Sequence, residues 1–285
     1  MSLVLHPNCK INLGLRVVRK RTDGYHDLET IFYPVYSLHD ELEVTPSDTF
    51  SFEQQGIAVD CDPSDNLIVR CFRLMQQHFP EVGNVHIRFR KNIPFGAGLG
   101  GGSSDAAHMA LAINELFHLN LSRQQLSTLI RPLGADCPFF LYNTPCYAEG
   151  IGDLLTPVEL PICGLRLILI KPDIAISTRE AYSGIKLHPE AQGQIADALR
   201  LHRPLAELFP LLTNDFEQTV FPLHPQLADI KQALFRAGAV YASMSGSGST
   251  IFALFRDTRQ PISEIMTHIQ SACSQPFTIL ADAIL

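Results

Sequence analysis

The chain has 285 residues, 46% of them hydrophobic, and a net charge of −7 at neutral pH. That is apolar material for one large or two medium domains with real cores. The negative balance argues against a sequence-independent nucleic-acid binder, which needs a basic face to release counterions, and no apolar run approaches the roughly 20 residues of a membrane span.

In chain order, the opening MSLVLHPNCKINLG carries no basic region followed by an apolar core, so no secretory signal is expected there. Residues 9–18 alternate, with Ile11, Leu13, Leu15 and Val17 on one face and Lys10, Asn12, Gly14 and Arg16 on the other. This is the pattern of a half-buried strand. Thr22-Asp23-Gly24 reads as a turn, and 30–36 as a further strand. Apolar residues at 67, 68, 71, 72, 75 and 79 form a helical stripe behind a Ser64 or Asp65 cap. Val85, Ile87 and Phe89 alternate with His86, Arg88 and Arg90, another half-buried strand. Residues 106–117 form a helix apolar over most of its surface. Ser122 to Gln125 is a capping box opening the next helix, which closes near Pro132 and Gly134.

A fresh start follows Pro157 and Pro161. Residues 165–170 read as a buried strand, and helical patterns lie at 190–202, 204–220, 225–237 and 261–273. In the third, Leu227, Ile230 and Leu234 share a face and Gly238 stands just past the end. Strands are expected at 250–255 and 277–280. The order implies an α+β fold with domains at 1–157 and 158–285. Seven cysteines (Cys9, Cys61, Cys71, Cys137, Cys146, Cys163, Cys273) contain no CxxC pair. They read as scattered reduced thiols of a cytoplasmic protein, with no metal site.

The most informative stretch is PFGAGLGGGSSDAA, 94–107, where five of the 18 glycines fall between Gly96 and Gly102. It joins a strand to a helix. Unpartnered N–H groups and the positive end of the dipole make such a helix start a good anion site. Glycines let backbone approach the ligand closely, and Ser103 and Ser104 add hydroxyl donors. The stretch therefore reads as a phosphate nest, the alternative being a turn that serves only close helix packing. It is not a Walker A loop, since no lysine follows. Gly96, Gly98 and Gly101 spell GxGxxG, but the preceding strand alternates, Pro94 intervenes, and the acid about 20 residues on is missing. No GxSxG nucleophile elbow is present.

PFGAGLGGGSSDAA resembles the phosphate-binding motif of the GHMP kinases. PNCKINLGL and RTDGYHDLET near the N-terminus, GADCPFF at 134–140 and MSGSGSTIF at 244–252 agree in order and spacing, so the resemblance spans nearly the whole chain. It implies a two-domain GHMP kinase fold with the active site in the interdomain cleft. ATP would be the phosphoryl donor, accompanied by Mg2+, and bound by Pro94, Gly96, Ala97, Gly98, Leu99, Gly100, Gly101, Gly102, Ser103 and Ser104, with Asn66 at the adenine end. No protein ligand for Mg2+ is named by the motif; Ser104 is a candidate, with water supplying the rest.

On the residues alone, Lys10 and Asn12 read as a solvated sheet face and Asp136 as a helix cap before Pro138. The resemblance implies otherwise: Asp136 takes the proton of the acceptor hydroxyl, and Lys10 orients that hydroxyl and offsets charge on the phosphoryl oxygens. Tyr25-His26 reads either as a packed tyrosine with a surface histidine or as a base-reading pair. The resemblance implies a substrate with a cytidine diphosphate group, with Tyr25 stacked on the base, His26 bonded to it, Tyr182 on its far side, and Thr178 and Asn12 in contact with substrate. Ser245 to Ser249 reads equally as a small-residue turn or a ligand contact. Rival readings are a GHMP kinase for mevalonate, homoserine or a sugar, a diphosphate decarboxylase of the same superfamily, and a nucleotide-binding protein without chemistry. Neither a nucleic-acid nor a membrane partner is expected, and nothing in the sequence specifies an oligomeric state.

Overall fold

The computed structural model describes residues 2–58 and 62–285. Cys61 lies outside the described residues; of the other six cysteines, Cys163 is exposed and the rest are buried. In chain order the strands are β1 (Leu3–Leu5), β2 (Asn8–Lys20), β3 (His26–His39), β4 (Glu41–Pro46), β5 (Ser51–Gly56), β6 (Val85–Lys91), β7 (Cys146–Glu149), β8 (Leu154–Pro157), β9 (Arg166–Pro172), β10 (Tyr241–Met244), β11 (Ile251–Phe255) and β12 (Phe277–Ile284). The helices are α1 (Leu67–His78), α2 (Gly101–Leu116), α3 (Arg123–Ile130), α4 (Cys137–Tyr142), α5 (Thr178–Tyr182), α6 (Gln194–Arg200), α7 (Leu205–Leu208), α8 (Glu217–Leu223), α9 (Pro225–Arg236) and α10 (Ile262–Ala272).

The chain gathers into two compact units, interleaved in sequence. The first takes Met1–Lys10, Leu38–Phe95 and Gly100–Thr144; the second takes Ile11–Ser37, Gly96–Leu99 and Pro145–Leu285.

In the first unit the sheet runs β1-β4-β6-β5. Only β5 and β6 in it are parallel. β6 forms as its alternation dictates: Val85, Ile87, Phe89 and also Lys91 are buried, while the arginines between them are exposed. Helix α2 packs on β1 and β4 and is flanked by α1, α3 and α4. It starts at Gly101, inside the glycine stretch and ahead of the expected 106. The cap of α1 is Asn66 instead of Ser64 or Asp65, because Asp65 is taken up in a 3-10 turn. The capping box of α3 is present in both directions.

The second unit holds two sheets, β2-β3-β7-β8 and β10-β11-β9-β12. Strand β9 pairs antiparallel with both β11 and β12. Its side chains join Leu227, Ile230 and Leu234 of α9 and Ile265 and Ile269 of α10 in one apolar core. The helical pattern at 204–220 is broken into α7 and α8 by a 3-10 turn at Phe209–Leu211, where Pro210 removes a backbone donor. Strand β2 departs from expectation too. It is buried on both faces from Asn8 to Leu15, so its polar face is not a solvated one. No helix among the described residues is long and apolar enough to cross a membrane.

Candidate active site

In the first unit, three sequence-predicted groups come together. Gly100 caps α2 in the left-handed region at φ +69°. A Cβ there would stand 3.0 Å from Phe140 Cζ and 3.1 Å from Lys10 Cε, so any larger residue would be strained and crowded. The N–H of Ser104 bonds back to the Gly100 carbonyl at 2.9 Å, which leaves the N–H groups of the first turn outside the intrahelical ladder, at the positive end of a long helix.

Lys10 runs alongside Gly100 and is 4% exposed; its Nζ lies 3.4 Å from Asp136 Oδ2, on a carboxylate 30% exposed. Asp136 occupies the cap position of α4, yet its side chain makes no cap bond. Its backbone is already helical (φ −80°, ψ −14°), whereas a capping side chain folds back from extended backbone. The cap reading is thereby corrected, and the carboxylate turns to Lys10. Ser103 Oγ is 3.2 Å from where a Cβ on Gly134 would stand, so the start of α2 adjoins the turn that leads to Asp136.

Asn66 does cap: its Oδ1 accepts the Ile68 N–H at 2.9 Å, and its Nδ2 donates to Gln54 Oε1 at 3.3 Å. The neighbouring Leu67 Cδ1 lies 3.3 Å from a Cβ position on Gly102, which places the start of α1 beside the start of α2. Ser104 is fully buried, with Oγ 3.3 Å from His108 Nδ1. Among the described residues no group of three His, Cys, Asp or Glu is disposed for a metal.

In the second unit, Asn12 is buried and donates through Nδ2 to Thr30 Oγ1 at 3.0 Å. Tyr25 is 62% exposed. It sits on a tight turn closed by the Arg21 N–H to the Tyr25 carbonyl at 2.8 Å, and by the Tyr25 N–H to Asp23 Oδ1 at 3.1 Å. Tyr182 lies face to face with His26, ring centroids 4.7 Å apart and planes 22° off parallel, and edge-on to Phe216. Burial, with a contribution from Lys20, pushes the His26 pKa below its ordinary value and favours the neutral ring. Thr178 is exposed on the first position of α5, which Ser177 caps through Glu180.

The turn at 245–249 packs instead of opening. Ser245 Oγ donates to the Gly98 carbonyl at 2.9 Å, and a Cβ on Gly98 would stand 2.0 Å from the Ser245 carbonyl oxygen. Asn214 holds the turn by donating to the carbonyls of Met244 and Gly246 at 2.7 and 2.8 Å. Sequence reasoning missed Asn214, for which the pattern carried no signal. It also missed the buried cluster of Asp40, Lys91 and Asp105. Lys91 had a signal, since the alternation of β6 puts it on the apolar face.

Two family models match the chain: the GHMP kinases N terminal domain over residues 66–144 and the GHMP kinases C terminal over 195–273. A 4-diphosphocytidyl-2-C-methyl-D-erythritol kinase of Bacteroides thetaiotaomicron is 48% identical over 257 residues, 89% of this chain and 92% of that protein. The chain belongs to the GHMP kinases, in the 4-diphosphocytidyl-2-C-methyl-D-erythritol kinase family.

A second member of that family, from Cytophaga hutchinsonii, is 40% identical over 275 residues, 96% of this chain and all of that one. A crystal structure of 4-(cytidine 5'-diphospho)-2C-methyl-D-erythritol kinase superposes with a TM-score of 0.75 at 31% identity, covering 97% of this chain and 98% of that one. A homoserine kinase structure from Cytophaga hutchinsonii reaches a TM-score of 0.74 at 17% identity, covering 99% and 95%, which shows the shared GHMP kinase fold alone. The chain is thus an ATP-dependent small-molecule kinase.

Proposed function

We propose that this GHMP kinase transfers the γ-phosphoryl group of ATP to the 2-hydroxyl of 4-diphosphocytidyl-2-C-methyl-D-erythritol, giving the 2-phosphate and ADP in the non-mevalonate isoprenoid pathway. The observation that carries this reading is the Lys10–Asp136 pair beside the Gly100 start of α2. A carboxylate within reach of solvent, held by a buried ammonium next to an anion-binding helix start, is a constellation suited to phosphoryl transfer, where positioning and electrostatics dominate.

Residues 96–104 grip the ATP phosphates through backbone N–H groups, with Pro94 at the entry to the stretch and Asn66 at the adenine end. Asp136 accepts the proton of the acceptor hydroxyl as its oxygen bonds to the γ-phosphorus and the bond to ADP breaks. Lys10 holds the Asp136 carboxylate in place and offsets charge on the phosphoryl oxygens. Mg2+ bound with the ATP phosphates would neutralise part of their charge. Tyr25 stacks on the cytosine and His26, fixed against Tyr182, bonds its edge; Asn12 and Thr178 contact the same substrate. We read 1–157 as the ATP-binding domain and 158–285 as the C-terminal domain of the sequence, with the segments 11–37, 96–99 and 145–157 of the former packed into the second compact unit.

The test is ADP release with Mg–ATP and each of three acceptors: the cytidyl diphosphate methylerythritol, mevalonate and homoserine. Turnover with the first alone is expected. Turnover with another acceptor would discard the cytosine-reading role of Tyr25 and His26. Silence with all three, with ATP still bound, would leave a nucleotide-binding protein without this chemistry.

A further inference from the structure

Beneath the glycine stretch lies an ionic cluster that the proposed chemistry does not use. Lys91 Nζ, 3% exposed, sits 2.5 Å from Asp40 Oδ2 and 2.7 Å from Asp105 Oδ2, and both carboxylates are buried. Asp40 Oδ1 also accepts the N–H groups of Asn92 at 2.6 Å and Ile93 at 2.8 Å. Lys91 Nζ is 3.1 Å from where a Cβ on Gly101 would stand. Asp105 belongs to α2, one turn past its start.

The placement of these contacts is specific. Asn92 and Ile93 are the residues that lead into Pro94, and Gly101 and Asp105 are those that leave the stretch. One lysine therefore ties together the two stems from which the glycines are strung. The cluster is a poor device for bulk stability, because burying charges costs most of what their attraction returns. Asp105 Oδ1 is moreover buried without a hydrogen-bond partner. What such a cluster does supply is a fixed geometry, since an ammonium between two carboxylates tolerates little displacement of either.

We infer that Lys91, clamped between Asp40 and Asp105, is a positioning residue for the phosphate-gripping backbone at 96–104. This rests on the reading of that stretch as the ATP site. All three side chains of the cluster are buried. The cluster sets the distance and direction between the strand end at 91–93 and the start of α2, so that the N–H groups converge before ATP arrives. Preorganisation of this kind appears in ATP affinity and not in acceptor affinity.

The experiment compares the full chain with Lys91→Met, Lys91→Arg and Asp105→Asn, and with Leu126→Ala, at a buried position of α3 outside the cluster, as a core-destabilised control. KM for ATP, KM for the acceptor, kcat and Tm are measured, with calorimetric ATP affinity alongside. Lys91→Met is expected to raise the ATP KM about tenfold and leave the acceptor KM within about twofold. Lys91→Arg, which keeps the charge, recovers most of that loss. Asp105→Asn leaves the Lys91–Asp40 pair in place to support folding and moves ATP affinity in the same direction. If the cluster variants only lower Tm, as Leu126→Ala does, or raise both KM values together, the cluster is structural and the inference fails. The calorimetric titration reads the outcome without turnover. A wild-type enzyme that binds ATP but transfers nothing therefore defeats the proposed reaction while the cluster is still tested.

Discussion

Two buried lysines of the first unit make an instructive pair. Lys91 is closed in, with two buried carboxylates at salt-bridge distance. Lys10 is as deeply buried, but Asp136 beside it is 30% exposed, and the separation is a looser 3.4 Å. Burial of an ammonium has the same cost in both places; what differs is the partner. A carboxylate that is sealed off can only hold structure, whereas one that reaches solvent can meet a substrate. The exposure of the partner, and not the burial of the lysine, separates the group that fixes geometry from the group suited to chemistry.

The sharpest way to break the comparison is Asp136→Asn. It is expected to lower kcat by roughly a thousandfold or more while ATP and acceptor still bind and Tm stays near wild type, as single-turnover kinetics and calorimetry would read. A large loss of Tm with turnover kept would put Asp136 in the class of Asp105. Lys10→Met removes a charge from the transition state and leaves the carboxylate; a loss of about 100- to 1,000-fold in kcat is expected, with a far smaller change in KM for either substrate.

A smaller effect tests the exposed aromatic. Tyr25→Ala should raise the acceptor KM by about ten- to a hundredfold, the range of one lost base stack, with the ATP KM and Tm unchanged. An equal rise for both substrates would remove Tyr25 from the acceptor side. The smallest change calibrates the stability axis: Ser122→Ala deletes one side of the α3 capping box and should cost about 1 kcal/mol in urea unfolding, with no kinetic change.

Much of the fold was legible because local rules acted unopposed. The box from Ser122 to Gln125, the alternation of β6 and the turn before Tyr25 are set by contacts within a few residues, and each stands in the structure. The misreadings share a cause. Lys10 and Asn12 alternate with apolar neighbours, which on one strand looks like a water-facing row; β2 is buried on both faces, so the row is interior. Asp136 stands where a cap residue stands, but a helical φ and ψ turn its carboxylate elsewhere. The 204–220 pattern kept its helical period across Pro210, where the backbone could not follow it.

By itself the sequence determined the strand and helix periods, the glycine stretch with its demand for close backbone approach, and the motifs that mark a GHMP kinase. These follow from side-chain period, from the absence of a Cβ and from spacing along one chain. Only the tertiary structure decided which lysine is sealed and which adjoins a reachable acid, that Ser245 locks onto the Gly98 carbonyl, and that Asp40, 51 residues from Lys91 in sequence, closes the cluster. Those are pairings between distant segments, and they depend on which faces are excluded from water once the sheets and helices pack.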